Sequence, residues 1–161
     1  MARILIVDDS PTVLLGVGRL LTALGHSVRG ALGFGELWEL LPVFVPELAL
    51  LDLEMPHVDG VAVGHYLRRR FPGMPIVMHS GESTGRLLEA ASEVGASAIV
   101  RKGGPSGELE RTIERTLELA QGIGAGRVSE PGAEPRTAPA AASGIRRAAP
   151  LDRTDLGAER G

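Results

Sequence analysis

Residues 4–9 read Ile-Leu-Ile-Val-Asp-Asp, four apolar residues in a row and then two carboxylates. An uninterrupted apolar run of this length is what a parallel strand covered on both faces looks like, because neither side of it meets water. Three later stretches repeat the pattern. Leu48-Ala49-Leu50-Leu51 stops at Asp52, Ile76-Val77-Met78 at His79 and Ser80, and Ala98-Ile99-Val100 at Arg101 and Lys102. Open parallel sheets bind ligands beyond the carboxyl ends of their strands. Three carboxylates (Asp8, Asp9 and Asp52), a hydroxyl and an ammonium are therefore expected along one edge. That set suits a divalent metal ion and a phosphoryl group.

Helical patterns separate the runs. Ser10 is placed to cap a helix with Pro11 at its first position, and Val13, Leu14, Val17, Leu20, Leu21 and Leu24 recur at helical spacing before Gly25. Residues 27–31 read as a short strand, 35–41 as a short helix stopped by Pro42, and 53–58 as a loop. Asp59-Gly60 then opens a helix that ends at Arg68, Arg69 and Arg70; cations there suit the helix dipole. Two more helices are expected, over 83–94 and from Pro105 to about Gln121, with a strand over 97–101 between them. Five alternating strand–helix pairs imply a doubly wound α/β sandwich with right-handed crossovers. The strand order 2-1-3-4-5 sets the strands of Asp9, Asp52 and Ser80 side by side at a topological switch point.

The chain has 161 residues, enough for one domain plus an appendage. Residues 1–121 carry the alternating pattern. Residues 122–161 are rich in Gly, Ala, Pro and Arg, show no period, and read as a disordered tail with too little apolar surface to offset its ordering entropy. A net charge of −3 gives no whole-chain case for binding nucleic acid. The absence of cysteine excludes disulfides, zinc thiolates and thiol nucleophiles. No signal peptide and no apolar stretch near the roughly 20 residues of a membrane span can be read, so a cytoplasmic protein is expected.

Each strand-end residue has an ordinary use: an Asp caps the next helix, a Ser before Gly makes a turn, a Lys is a solvated charge. Together they make a kit. Two carboxylates about 4 Å apart repel by roughly 4 kcal/mol at an effective dielectric near 20, and a phosphoryl group adds to the repulsion. A magnesium ion, which takes one or two protein carboxylates plus phosphate oxygens, and Lys102 would neutralise that charge. Asp52 would then be free to act as a carboxylate nucleophile, with Ser80 offering a hydroxyl to the phosphoryl oxygens.

The ILIVDDS stretch, the LLDLEMPHVDG segment, the HSG at residues 79–81 and Lys102 resemble the receiver domain of two-component response regulators over residues 1 to about 121. The resemblance implies a flavodoxin-like receiver fold with Asp52 as phosphoacceptor. Magnesium would be held by Asp9 directly, by Asp8 mostly through water, by Asp52, and by the Glu54 backbone carbonyl. Ser80 and Lys102 match the family's hydroxyl and lysine. It further implies a sensor histidine kinase or phosphotransfer protein as donor. Output would pass through protein contacts on a face carrying Arg86, Ile99, Arg101 and Glu110, without direct nucleic-acid or membrane binding and with a monomer or weak dimer as the working unit. The sequence departs from the family at Gly103, where a proline is common, and at Ile99, where an aromatic ring often serves as a switch. Glu54 and Glu82 place acidic groups at two positions that tune dephosphorylation in the family. Two other readings compete with this non-enzymatic switch. One is a phosphorylation-independent scaffold. The other is an aspartate-nucleophile phosphohydrolase, which needs an acid two residues past its nucleophile, where Ser10 follows Asp8.

Overall fold

The computed structural model describes residues 1–81 and 84–124. Five strands, β1 (Arg3–Val7), β2 (Ser27–Ala31), β3 (Leu48–Leu51), β6 (Ile76–Ser80) and β7 (Ala98–Arg101), form one sheet in the order β2-β1-β3-β6-β7. Every pairing in it is parallel, so the expected 2-1-3-4-5 order is the one observed. Two further short strands, β4 (Glu54–Met55) and β5 (Val58–Asp59), pair antiparallel as a separate ribbon in the stretch read as a loop. Strands of two residues leave no periodicity to detect.

Helices α1 (Pro11–Ala23) and α5 (Glu108–Gly124) cover one face of the sheet, and α2 (Phe34–Leu40), α3 (Gly60–Arg70) and α4 (Thr84–Val94) the other. Side chains alternate along each strand between the two cores. Ile4, Ile6, Leu48, Leu50, Val77 and Val100 face α1 and α5 together with Leu21, Ile113 and Leu117. Leu5, Val7, Ala49, Leu51, Ile76 and Met78 face the other way, against Leu37, Val63, Leu67 and Leu87. Burial of such side chains, about 1.5–3 kcal/mol each, is what fixes the sheet.

Helix starts follow local chemistry. The Ser10 hydroxyl accepts from the Val13 amide at 3.4 Å with Pro11 at the first turn, and Asp59 caps α3 through the Val61 amide at 2.9 Å. Helix α5 begins three residues later than expected. Gly107 has φ +76, a left-handed turn that cannot lie inside a helix, so Pro105 to Gly107 belong to the connection instead. The helix runs to Gly124, past the expected end. The disordered tail expected from the sequence lies, from residue 125 on, outside the described residues, as does Glu82.

Candidate phosphoryl and metal site

The carboxyl ends of β1, β3 and β7 bring Asp8, Asp52 and Lys102 together. The Lys102 Nζ lies 2.7 Å from Asp8 Oδ2 and 2.7 Å from Asp52 Oδ2. Both carboxylates are buried, at 1 % and 2 % exposure. Each uses its other oxygen to shape its own loop: Asp8 Oδ1 accepts from the Ser10 amide at 3.0 Å, and Asp52 Oδ1 from the Glu54 amide at 3.2 Å. Asp8 is therefore not the cap of α1, a part that Ser10 takes; it turns the chain before the helix and holds the ammonium. Asp9 sits beside them. Ligand atoms of Asp8, Asp9 and Asp52 all lie within 4.8 Å of one another, the one such group among the described residues.

The electrostatics follow from burial. Desolvation pushes the Asp52 carboxyl above the usual carboxylate range and the Asp8 charge adds to the push, while Lys102 and the Glu54 amide oppose it. Desolvation works against the Lys102 ammonium, but its bonds to Asp52 and Asp8 outweigh that and hold it above the ordinary lysine value. One ammonium thus faces three acids. The donor set is all oxygen and carries excess negative charge, which is what a hard divalent cation such as magnesium requires.

Ser80 ends β6 fully buried, and its carbonyl accepts from the Lys102 amide at 3.0 Å, so the ends of β6 and β7 are tied together. Glu54 stands two residues past Asp52 on β4, directed there by the bond from its amide to Asp52. Of the expected output residues, Arg86 on α4 and Arg101 on β7 are exposed, and Ile99 on β7 and Glu110 on α5 half-buried. They occupy adjoining elements and are not gathered into the acidic pocket. Ile99 packs against the α3–α4 core. His79 points to the α1–α5 side, 7 % exposed, with Nδ1 sealed from solvent and unpartnered. Arg68 is more than a dipole charge: its guanidinium donates to the carbonyls of Met74 at 2.9 Å and Gly95 at 2.6 Å.

One positioning residue was missed in the sequence. Gly60 looked like a helix start only, yet a Cβ there would overlap the Asp52 carbonyl oxygen and the backbone of Leu53. The Asp59-Gly60 pair after the β3 loop was the available signal, but nothing local says that this backbone abuts Asp52.

A parallel sheet of this order with an acidic pocket and one ammonium at its carboxyl edge places the molecule among the doubly wound α/β proteins that bind ligands at the switch point. The family model of the response regulator receiver domain matches residues 4–114, and the chain belongs to that family, the receiver domains of two-component systems. It is 31% identical over 114 residues to the transcriptional regulatory protein PdtaR of Mycobacterium tuberculosis, covering 70% of this chain and 55% of that protein. It is 29% identical over 117 residues to the transcriptional regulatory protein GlrR of Escherichia coli, covering 73% of this chain and 26% of the relative. The chain thus spans between about a quarter and about half of the length of these curated relatives. Among solved structures, a CheY-like receiver domain protein from Methanospirillum hungatei superposes with a TM-score of 0.71 at 27% identity, over 77% of this chain and 99% of that one. NtrX from Brucella abortus gives 0.70 at 27% identity over 76% of this chain and 28% of that chain. Among the described residues no helix is long and apolar enough to cross a membrane.

Proposed function

We propose that this protein is a phosphorylation switch in which Asp52 is the phosphoacceptor. The observation that carries the reading is the Lys102 ammonium held 2.7 Å from both Asp8 and Asp52 beside the open carboxylate of Asp9. Asp52 Oδ2 attacks the phosphorus of a phosphohistidine on a sensor kinase or phosphotransfer protein. The new P–O bond forms as the P–N bond breaks, and the imidazole leaves with its electron pair and takes up a proton. Lys102 follows the developing charge on the equatorial oxygens, and the Ser80 hydroxyl, at the carboxyl end of β6 beside β3, would receive one of them. Asp8, Asp9, Asp52 and the Glu54 carbonyl would hold magnesium, which supplies charge neutralisation for an otherwise anion-repelling pocket.

The product is an acyl phosphate on a protein that signals by contact, in a cytoplasmic setting, with Arg86, Ile99, Arg101 and Glu110 on the output face. Its own chemistry ends with receiving and losing the phosphoryl group. The hydrolase alternative is disfavoured because Ser10 uses its hydroxyl to cap α1 and is no acid. Treatment with acetyl phosphate and magnesium should add one acid-stable, base-labile phosphoryl group, absent from Asp52→Asn and from EDTA-treated protein. Equal labelling of Asp52→Asn would refute the assignment.

Ile99 favours a second reading, a scaffold indifferent to phosphorylation, since an aliphatic side chain packed against the α3–α4 core offers no ring to swing. Equal partner affinity with and without beryllofluoride would support that reading.

A further inference from the structure

The chain has one tryptophan, one tyrosine and three phenylalanines. Three of these five rings form an exposed cluster on the α2–α3 surface, away from both the acidic pocket and the α4–β7–α5 face. Phe34 and Tyr66 meet edge to face at 5.1 Å, Trp38 and Tyr66 lie 5.9 Å apart, and Phe34 and Trp38 6.3 Å. Phe34 remains 39 % exposed and Trp38 54 %. Rings are the largest apolar side chains, and a contiguous exposed patch of them marks a docking surface. Cations flank it. Arg69 and Arg70 follow Tyr66 by three and four residues and so share its helix face, Arg70 with its guanidinium 5.7 Å from the Phe71 ring centroid, while Arg68 is committed to Met74 and Gly95. On α2, Glu36 is turned to the Leu32 amide, and Glu39 stands about 100° around the helix from Trp38. A complementary ligand carries apolar side chains beside carboxylates.

Within this chain, one segment outside the described residues has that chemistry. Residues 150–159 read Pro-Leu-Asp-Arg-Thr-Asp-Leu-Gly-Ala-Glu, with the only two leucines found beyond residue 124 and three acids against one arginine. The other apolar stretch, around Ile145, is followed by Arg146 and Arg147 and has the wrong sign for Arg69 and Arg70. Residues 125–149 tether the segment to the end of α5. They span at most about 80–90 Å when extended, ample to pass around a domain of this size, and a tether of this kind raises the local concentration toward the millimolar range.

We propose that residues 150–159 dock on the Phe34–Trp38–Tyr66 patch, Leu151 and Leu156 against the rings and Asp152 and Asp155 toward Arg69 and Arg70. The docked segment covers a face separate from the acidic pocket, so it is a second interaction surface that the tail occupies until a competitor displaces it.

Trp38 is the only tryptophan, so emission and acrylamide quenching of the full chain read this patch alone. Covering a half-exposed ring lowers quencher access about twofold. In the full chain, L151S/L156S and D152R/D155R should therefore each raise the quenching constant by about that factor and shift emission to the red. R69E/R70E should do the same, and R69E/R70E combined with D152R/D155R should restore shielding. Circular dichroism of each variant checks that the described fold is kept. Quenching unaffected by the tail substitutions would overturn the proposal. So would shielding that grows with protein concentration between about 1 and about 100 µM, which would make the occupant a second copy.

Discussion

Acid should destabilise this protein through His79. The side chain sits between Met78 and Ser80 on β6, beside Val100 of β7, facing the apolar layer under α1 and α5. Burial is the largest cause lowering its pKa from 6.5 to about 4; the Lys102 charge adds to it and Asp8 opposes it. The lowered value sets the sign. The unfolded chain takes up a proton as pH falls through 6.5, and the folded chain does so only near 4, so the stability that neutral His79 contributes is complete above pH 6.5 and is lost between those values. The full gap corresponds to about 3 kcal/mol, and integrating from pH 7 to pH 5 gives a loss of about 2 kcal/mol. Urea unfolding of wild type and His79→Leu at both pH values isolates this contribution, because other titrating groups act on both proteins. Leucine is close in volume and removes the unpartnered Nδ1, whose burial carries its own penalty of about 1–3 kcal/mol. His79→Leu should therefore match or exceed wild-type stability at pH 7, and its lead should widen by about 2 kcal/mol at pH 5. A lead that is the same at both pH values would show that His79 titrates normally in the folded state and would refute the reasoning.

Further outcomes follow from the same geometry. Lys102→Met leaves two buried carboxylates facing each other without their cation. It should cost about 1–3 kcal/mol at pH 7 by denaturant titration, less at low pH where a carboxyl protonates, and should slow acetyl phosphate labelling. Gly60→Ala should force the β3–β4 loop away from α3, losing about 1–3 kcal/mol by thermal unfolding and weakening magnesium binding measured by calorimetry. Magnesium at about 100 times its dissociation constant should stabilise wild type by about 2.7 kcal/mol in urea, an increment missing from Asp9→Ala. Arg68→Ala should cost about 1.5–3 kcal/mol in the same assay, because two carbonyls at the corner between α3 and α4 lose a charged donor.

Particular residues explain which parts of this structure were legible in the chain. The sheet was, because Ile4–Val7, Leu48–Leu51 and Ile76–Met78 are buried on both faces and therefore show as unbroken apolar runs, each ending at the edge where polar groups return. The order of the strands followed from the polar residues at their ends, because it sets the strands of Asp9, Asp52 and Ser80 side by side at a switch point. Helix starts were legible where a side chain caps them, as at Ser10 and Asp59, and misplaced where backbone conformation decides, as at Gly107. The gathering of Asp8, Asp9, Asp52 and Lys102 was visible from topology. Its detail was not, since whether Lys102 bonds one carboxylate or two depends on its distances to groups 50 and 94 residues away along the chain. The aromatic cluster escaped for the same reason: Phe34 and Trp38 are close in sequence, but Tyr66 joins them only through the packing of α2 beside α3.

The departures from the family pattern bear on how the proposed switch would transmit. Gly103 has φ +73, which proline with its φ fixed near −65° cannot adopt, so the loop after β7 is built on a turn that a prolyl residue would forbid. That turn sets Lys102 with its amide on the Ser80 carbonyl and its ammonium on Asp52. A phosphoryl group on Asp52 would occupy the oxygen that Lys102 now holds, and the ammonium must follow the new charge. Because the Lys102 main chain is bonded to that of Ser80, displacement at one strand end would be delivered directly to the other. A hydroxyl closing on the phosphoryl group would pull the same pair from the opposite side. The ends of β6 and β7 would then move as a unit, and a glycine in place of a fixed ring would lower the resistance to that movement. In this arrangement the half-buried Ile99, two residues before Arg101 on β7, would need no inward swing, since its own strand would carry it.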